Sequence, residues 1–345
     1  MERNILQIGE NVDQLITVDM SARRIIGQLY RAARGKNEMP LTLAAAQKLV
    51  EVVRKKSMVY ILTGFQCPKW SISETDGPPG AVILARGISL GLEALPVIVT
   101  DDINVPMIKA TAHAAALNVL ENKVVEDPLS RTVAVIGIPI KEKMEEKAGV
   151  LLDSHKPSVV IAIERPGWNE KHVYHRSIGF DISHLNAHLD HIYDEAHKRS
   201  IPTIGIGDGG NELGMGNIAE TTKQIVPYGA KCQCPCGAGI AAVNKSDFIV
   251  PATVSNWGGY GIVACLSALL KKPAEFHDRK IQLRIIHTCA AAGAVDGTTQ
   301  SPEPSEDGVP AEVSAGLIEM LNLTVSMALK TPADSAIARA RAGTI

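Results

Sequence analysis

Short apolar runs alternate along the chain with longer stretches whose apolar positions recur at helical spacing. Met58 to Gly64 (MVYILTG), Pro96 to Asp101, Thr132 to Ile138, Ser158 to Glu164 and Thr203 to Gly207 are β-branched and apolar on both faces. That is the pattern of strands buried in a parallel sheet. Between them the spacing predicts helices from Gly80 to Glu93, Pro106 to Leu120, Glu142 to Ser154 and Ile182 to Ser200. The alternation predicts an α/β fold, a doubly wound and mainly parallel sheet with helices on both faces and right-handed crossovers. Residues 1–56 read as an N-terminal segment of two or three helices packed on one edge, and residues 57–330 as the main α/β domain. Within the latter, 246–254 reads as a further strand, followed by helices from Gly259 to Leu270, about Lys280 to Ala292 and Pro310 to Ala328. Residues 296–310 (DGTTQSPEPSEDGVP) read as an exposed loop by composition, and 331–345 as a loose tail.

Composition narrows the partners. The 345 residues, 46% of them hydrophobic, can bury a substantial core. A net charge of −2 from 35 basic and 37 acidic residues leaves no strong electrostatic grip on nucleic acid or membrane, so a small molecule is the expected partner. No apolar run approaches the ~20 residues of a membrane helix, and the start MERNILQIGENVDQL is no secretory signal. Six cysteines in a chain of this length form no disulfide framework. A cytoplasmic protein, free to be a homo-oligomer, is expected.

The candidate chemistry sits where strands end. After Thr203 to Gly207 comes Asp208-Gly209-Gly210-Asn211-Glu212, whose paired glycines let the backbone turn sharply or approach a ligand, with a helix expected to begin just beyond. After the first strand, Glu74 and Asp76 precede Gly77 and two prolines at a helix entrance; after the fourth come Glu164 and Arg165, which read either as ligand-binding groups or as an ion pair. Asp101 and Asp102 read as helix caps or surface groups. The run Val254 to Gly261 (VSNWGGYG) opens another helix. Ser255 or Asn256 could cap it while Gly258 and Gly259 leave its first N–H groups open to an anion; the competing reading is a capped helix with Trp257 and Tyr260 in the core. Gathered on one rim, such carboxylates can bind an ammonium or a divalent cation, or move protons.

These landmarks resemble a known family. ETDGPPGA (74–81), AIER (162–165), GIGDGGNELGMG (205–216), VSNWGGY (254–260) and AGAVDGTT (292–299) are similar, in the same order, to the C-terminal domain of D-glutamate cyclases. The resemblance implies a carbon–oxygen lyase that dehydrates D-glutamate, or a related amino acid, to 5-oxo-D-proline. It marks Glu74, Asp76, Glu164, Asp208, Asn211, Glu212, Ser255 and Asn256 as site residues. In the animal enzymes a hydratase-like domain precedes this one, and the chain is expected to be a stand-alone version. Ring closure needs a base for the α-ammonium and neutralisation of the γ-carboxylate. Glu74, Asp76, Asp208 and Glu212 are the catalytic candidates, with Asp208 and Glu212 also the ligands for Mg²⁺ or Mn²⁺. Glu164, Arg165, Gly209, Gly210, Asn211, Ser255, Asn256, Gly258 and Gly259 are the substrate-binding candidates. No organic cofactor is expected. Two rivals use the same residues: metal-dependent phosphoryl or nucleotidyl transfer, which lacks a GxxxxGK[ST] segment here, and a non-catalytic amino-acid sensor.

Two clusters fall outside that pattern. Cys232, Cys234 and Cys236 alternate in CQCPCG, which puts three thiols on one side of an extended segment with no fourth ligand nearby in sequence, so a reduced or redox-sensitive loop is the preferred reading over zinc. His184, His188 and His191 share a face if their helix is continuous, and a packed or solvated face is preferred over metal, with Asp190 and Asp194 on the helix surface.

Overall fold

The structure is a computed structural model and describes residues 3–20, 23–120, 131–273 and 275–330; the tail expected at 331–345 lies outside them. Three helices come first: α1 (Arg3–Ile16), α2 (Ile26–Arg34) and α3 (Leu41–Val52). The buried Asp13 ties them together, accepting hydrogen bonds from the Leu41 and Thr42 amides at 2.7 and 3.2 Å and from the Tyr30 hydroxyl at 2.8 Å. Then follow β1 (Met58–Thr63), the hairpin β2 (Gln66–Cys67) and β3 (Ile72–Ser73), α4 (Pro78–Gly91), β4 (Leu95–Asp101), α5 (Val105–Ala114), β5 (Asn118–Leu120), β6 (Thr132–Ile138), α6 (Met144–His155) and β7 (Val159–Ile163). The chain continues through α7 (Asp190–Lys198), β8 (Thr203–Gly207), α8 (Ala219–Ile225), β9 (Phe248–Pro251), α9 (Ser255–Leu269), α10 (Arg279–Ala291), the hairpin β10 (Ser305–Glu306) and β11 (Val309–Pro310), and α11 (Ala311–Leu329).

Seven strands form one parallel sheet in the order β5-β6-β4-β1-β7-β8-β9. Alternate residues of its strands face two separate cores. Ile61, Ile98, Ile161 and Ile204 pack with the N-terminal helices, α4, α9 and α10, whereas Tyr60, Leu62, Val97 and Val160 pack with α6 and α7. This is the doubly wound, two-faced architecture expected from the apolar runs. From β1 the chain moves outward one way to β4, and from β7 the other way to β8 and β9. The sheet's topological switch point therefore lies between β1 and β7, where open α/β sheets form a crevice at their carboxyl ends.

Several boundaries differ from the expectation. The helix expected to reach Leu120 stops at Ala114, where Ala116 takes a left-handed conformation (φ 56°), and residues 118–120 become the edge strand β5. The helix expected from Ile182 begins only at Asp190, after a single 3-10 turn at Ser183–Leu185. His184 is thereby out of phase with the others, and His188 and His191 pack edge-on against Trp168 with ring centroids 6.3 and 5.0 Å away. Asp190 is fully buried rather than on the surface, accepting hydrogen bonds from the Tyr174 hydroxyl and from the Trp168 amide at 3.1 Å. By length and composition α11 alone among the described helices could cross a membrane. In the structure, it packs on α1, α9 and α10 through Ala315, Ile318, Leu321 and Val325.

The crossing of α4 and α9 holds the rim in place. A Cβ on Gly80 would lie 2.6 Å from Ile163 Cδ1 and 2.7 Å from Asn256 Oδ1, so the helices meet there through bare backbone. Gly80→Ala is expected to cost about 1–3 kcal/mol in chemical denaturation, because neither the strand nor the Asn256 cap can retreat; a change under ~0.5 kcal/mol would show that the crossing is looser.

Candidate active site

The loops that follow β1, β7 and β8 meet at the switch point around a cavity of about 440 Å³. Glu74, Glu164, Asp208 and Glu212 line it, as does Asp307 from the turn between β10 and β11. One carboxylate oxygen from each of Glu164, Asp208 and Glu212 falls within 4.8 Å of the others.

The demand on the glycines of the DGGNE turn comes from its own acid. Glu212 folds back so that Oε1 accepts the Gly209 amide at 2.8 Å and Oε2 the Gly210 amide at 2.7 Å. A Cβ on Gly207 would lie 2.4 Å from Glu212 Oε2, and Gly210 has φ 86° with Thr222 filling the space beside it. The amides of Gly209 and Gly210, expected to serve a substrate, are therefore already engaged by Glu212. Asn211 lines the cavity and donates through Nδ2 to the His175 carbonyl at 3.0 Å. Beyond this turn one 3-10 turn intervenes, and the helix begins only at Ala219.

Asp76 and Asn256 serve each other's helices. Asp76 accepts the Ser255 and Asn256 amides at 2.8 and 2.7 Å, so its carboxylate occupies the N-terminus of α9. Asn256 Oδ1 accepts the Gly77 and Gly80 amides at 2.9 and 2.7 Å, doing the same for α4. The anion-accepting N-terminus expected at Gly258 and Gly259 is thus filled by Asp76. Those glycines instead lie within the helix, where a Cβ would meet Ile206 at 2.6 Å and Ile163 at 3.0 Å, and Trp257 and Tyr260 are in the core. Ser255 remains near the chemistry, since its hydroxyl donates to Glu164 Oε2 at 2.5 Å.

Arg165 is not a substrate clamp in this arrangement. Fully buried, it pairs with Asp101 and donates to the carbonyls of Gly64 and Ala187. Asp101, expected as a cap or surface group, also accepts the Ala187 amide at 2.6 Å and Gln66 Nε2 at 3.2 Å. The pair ties the loops after β1, β4 and β7 together beneath the cavity.

The segment 296–310 keeps the exposure expected of it at Thr298, Thr299, Pro302, Glu303, Gly308 and Pro310, but is anchored through buried Asp296, Ser305 and Glu306. Asp296 accepts the Thr298, Thr299 and Gly308 amides at 2.9, 2.7 and 2.7 Å and the Ser305 hydroxyl at 2.7 Å. Buried Glu306 then meets Asn256 and Tyr260, and Asp307 reaches the cavity within hydrogen-bonding reach of Asp208. Sequence reasoning passed over Asp307, Arg176 and Arg23. Asp307 had a signal, an acid before a glycine within a turn-rich run; Arg23 and Arg176 had none.

The electrostatics follow from crowding buried acids. Burial, then the charges of Asp307 and Asp208, hold the Glu74 carboxyl well above the usual range, against the pull of Arg176. Burial, then Glu212 and Asp208, raise Glu164 likewise, and burial with Asp208 raises Asp307. Asp208 is pushed up to about 7 by burial and Glu212, opposed by Arg23, which pairs with it at 3.4 Å. Glu164 also sits at φ 38°, an unfavourable backbone conformation for a glutamate, of the kind that clusters at functional sites. Such a group of carboxyls favours protons or cations.

A parallel doubly wound sheet with an acid-lined cavity at its switch point defines the chain as an α/β protein. The chain belongs to the D-glutamate cyclase-like, C-terminal family, whose sequence model matches residues 12–322. It is also 34% identical over 206 residues to human mitochondrial D-glutamate cyclase, a match covering 57% of this chain and 30% of that protein. The chain thus spans under a third of its relative's length.

Proposed function

We propose that the chain is a D-glutamate cyclase-like lyase, closing D-glutamate or a close relative to 5-oxo-D-proline with release of water. The observation that carries the reading is the set of buried, proton-hungry carboxyls around a cavity sized for an amino acid, one of them titrating near 7. In this reading Asp208 takes a proton from the substrate ammonium, freeing the amine to attack the γ-carboxyl carbon. As the C–N bond forms and the C–O bond breaks, Glu74, whose carboxyl burial holds well above the usual range, gives one proton to the departing oxygen and the second proton of the attacking nitrogen supplies the other, so that water leaves; the proton taken up by Asp208 then restores Glu74. Arg176, which also lines the cavity, orients a substrate carboxylate. Oxygen donors from Glu164, Asp208 and Glu212 fit a hard divalent ion such as Mg²⁺ or Mn²⁺, which when bound would polarise a carboxylate. A cytoplasmic setting and a small zwitterionic partner, without nucleic acid or membrane, belong to the same proposal. Phosphoryl or nucleotidyl transfer would draw on the same oxygen donors, and a nucleotide found to bind against the Asp208 turn would favour it.

The test is mass spectrometry for 5-oxoproline after incubation with D- or L-glutamate across a metal panel. Consumption of neither enantiomer, with no binding, would reject the reading; binding without turnover would leave a sensor. A pH profile adds detail. Without added metal, the acid limb of kcat/KM is expected near 7, activity rising as Asp208 loses its proton, whereas a divalent ion bound by Asp208 would move that limb to lower pH. Arg23 lowers the Asp208 pKa, so Arg23→Ala should move that limb to higher pH by roughly 0.2–0.7 unit, the worth of a half-exposed ion pair. A shift to lower pH would exclude Asp208 as the titrating base.

A further inference from the structure

CQCPCG finds its fourth ligand in space. The loop that carries it runs against the segment containing His175, and the imidazole Nε2 lies 3.2 Å from Cys234 Sγ and 3.6 Å from Cys236 Sγ. Cys232 Sγ is 3.6 Å from Cys234 Sγ and 3.3 Å from Cys236 Sγ. All four donor atoms fall within 4.8 Å of one another. Around a tetrahedral zinc with Zn–S near 2.3 Å and Zn–N near 2.0–2.1 Å, donors stand about 3.6–3.8 Å apart. These four separations lie within about half an ångström of the tetrahedral values, and the remaining two are under 4.8 Å, before any ion is placed. An iron–sulfur cluster inserts several atoms between its thiolates and needs sulfurs much further apart than this.

The surroundings match a metal site as well. His175 is almost fully buried, and its Nδ1 lies 3.1 Å from the Val173 carbonyl. A proton on Nδ1 donated to that carbonyl leaves Nε2 with its lone pair toward the sulfurs, the usual way a ligating imidazole is oriented. Asn169 Nδ2 donates to Cys236 Sγ at 3.4 Å and to the Gly239 carbonyl at 2.7 Å, supplying the N–H···S contact that a metal-bound thiolate receives.

We propose that His175, Cys232, Cys234 and Cys236 form a structural zinc site. Binding converts three thiols to thiolates with release of their protons, and four protein donors leave no position open for substrate. The site is a staple for the cavity wall. Arg176, Ser177 and Ile178, which line the cavity, follow directly on His175. The wall is fastened again where Gln233 donates from its backbone to Gly179 and from its side chain to Ile178. Zinc here would fix the position of Arg176 whatever reaction the cavity performs, so the proposal does not rest on the cyclase reading.

The experiment is elemental analysis of the full chain, produced with zinc in the medium and purified under reducing conditions without chelator. One zinc per chain is expected, falling at least tenfold in Cys234→Ser and in His175→Gln. Because either variant could fail to fold, the wild type is also stripped and reloaded with Co²⁺. Intense tetrahedral ligand-field bands with thiolate-to-cobalt charge transfer are expected, together with a melting temperature that drops on stripping and returns on reloading with zinc. Wild-type protein that carries no zinc and gives only the spectrum of aqueous Co²⁺ would overturn the proposal. So would a Cys232–Cys236 disulfide persisting in place of the metal, or iron with inorganic sulfide.

Discussion

Asp208→Asn is expected to reduce D-glutamate consumption by about 10²–10⁴-fold, the range ascribed to a positioned general base. The substitution keeps the shape of the side chain and removes an acid whose pKa burial and Glu212 already raise to about 7. The stability sign follows from that direction. A carboxyl whose folded pKa exceeds its unfolded value contributes less to stability as pH rises from the unfolded pKa, near 3.9, to the folded one. Above 7, wild-type Asp208 is therefore a net burden on the free protein, so the Asn variant should melt at the same temperature or slightly higher. At pH 5 the advantage should shrink. Activity lost together with a large fall in melting temperature at pH 8 would instead make Asp208 a structural group.

Asp101→Ala is expected to have the largest effect on folding, about 3–5 kcal/mol by chemical denaturation, because it strands the fully buried Arg165 guanidinium without its partner. The Ala187 amide and Gln66 lose an acceptor in the same step. Arg165→Met, which removes the charge and keeps much of the volume, should cost less than Arg165→Ala. If the Asp101 variant folds normally yet fails to bind a carboxylate ligand, Arg165 belongs to the substrate after all, and the structural assignment given to it here fails.

Much of the architecture was legible along the chain. Five of the sheet strands coincide with runs of β-branched residues within a residue or so at either end, because a strand buried on both faces must be apolar throughout. The carboxyl-end turns were legible too: Asp208, Gly209 and Gly210 announce a turn that most side chains cannot make, and Glu74 and Glu164 stand where their strands run out. The edge strand at 118–120 was not, since three half-covered residues carry too little pattern to separate them from the end of a helix.

Partnership across the fold is what local spacing could not specify. Nothing near Asp76 in sequence says that its carboxylate closes the N-terminus of α9, 180 residues from Asn256, or that Arg165 answers Asp101 rather than a ligand. Asp307 becomes a cavity acid only because Asp296 folds the turn around itself, and His175 meets a thiol 59 residues away only because two loops lie side by side. Periodicity and turn chemistry act over a few residues, so the chain alone determined which segments are strands, which are helices and which turns carry acids. Which of those acids faces the cavity, which closes a helix and which pairs with an arginine depended on strand order and helix crossing, and these the tertiary structure decided, because a buried charge is stable only where packing brings it a partner.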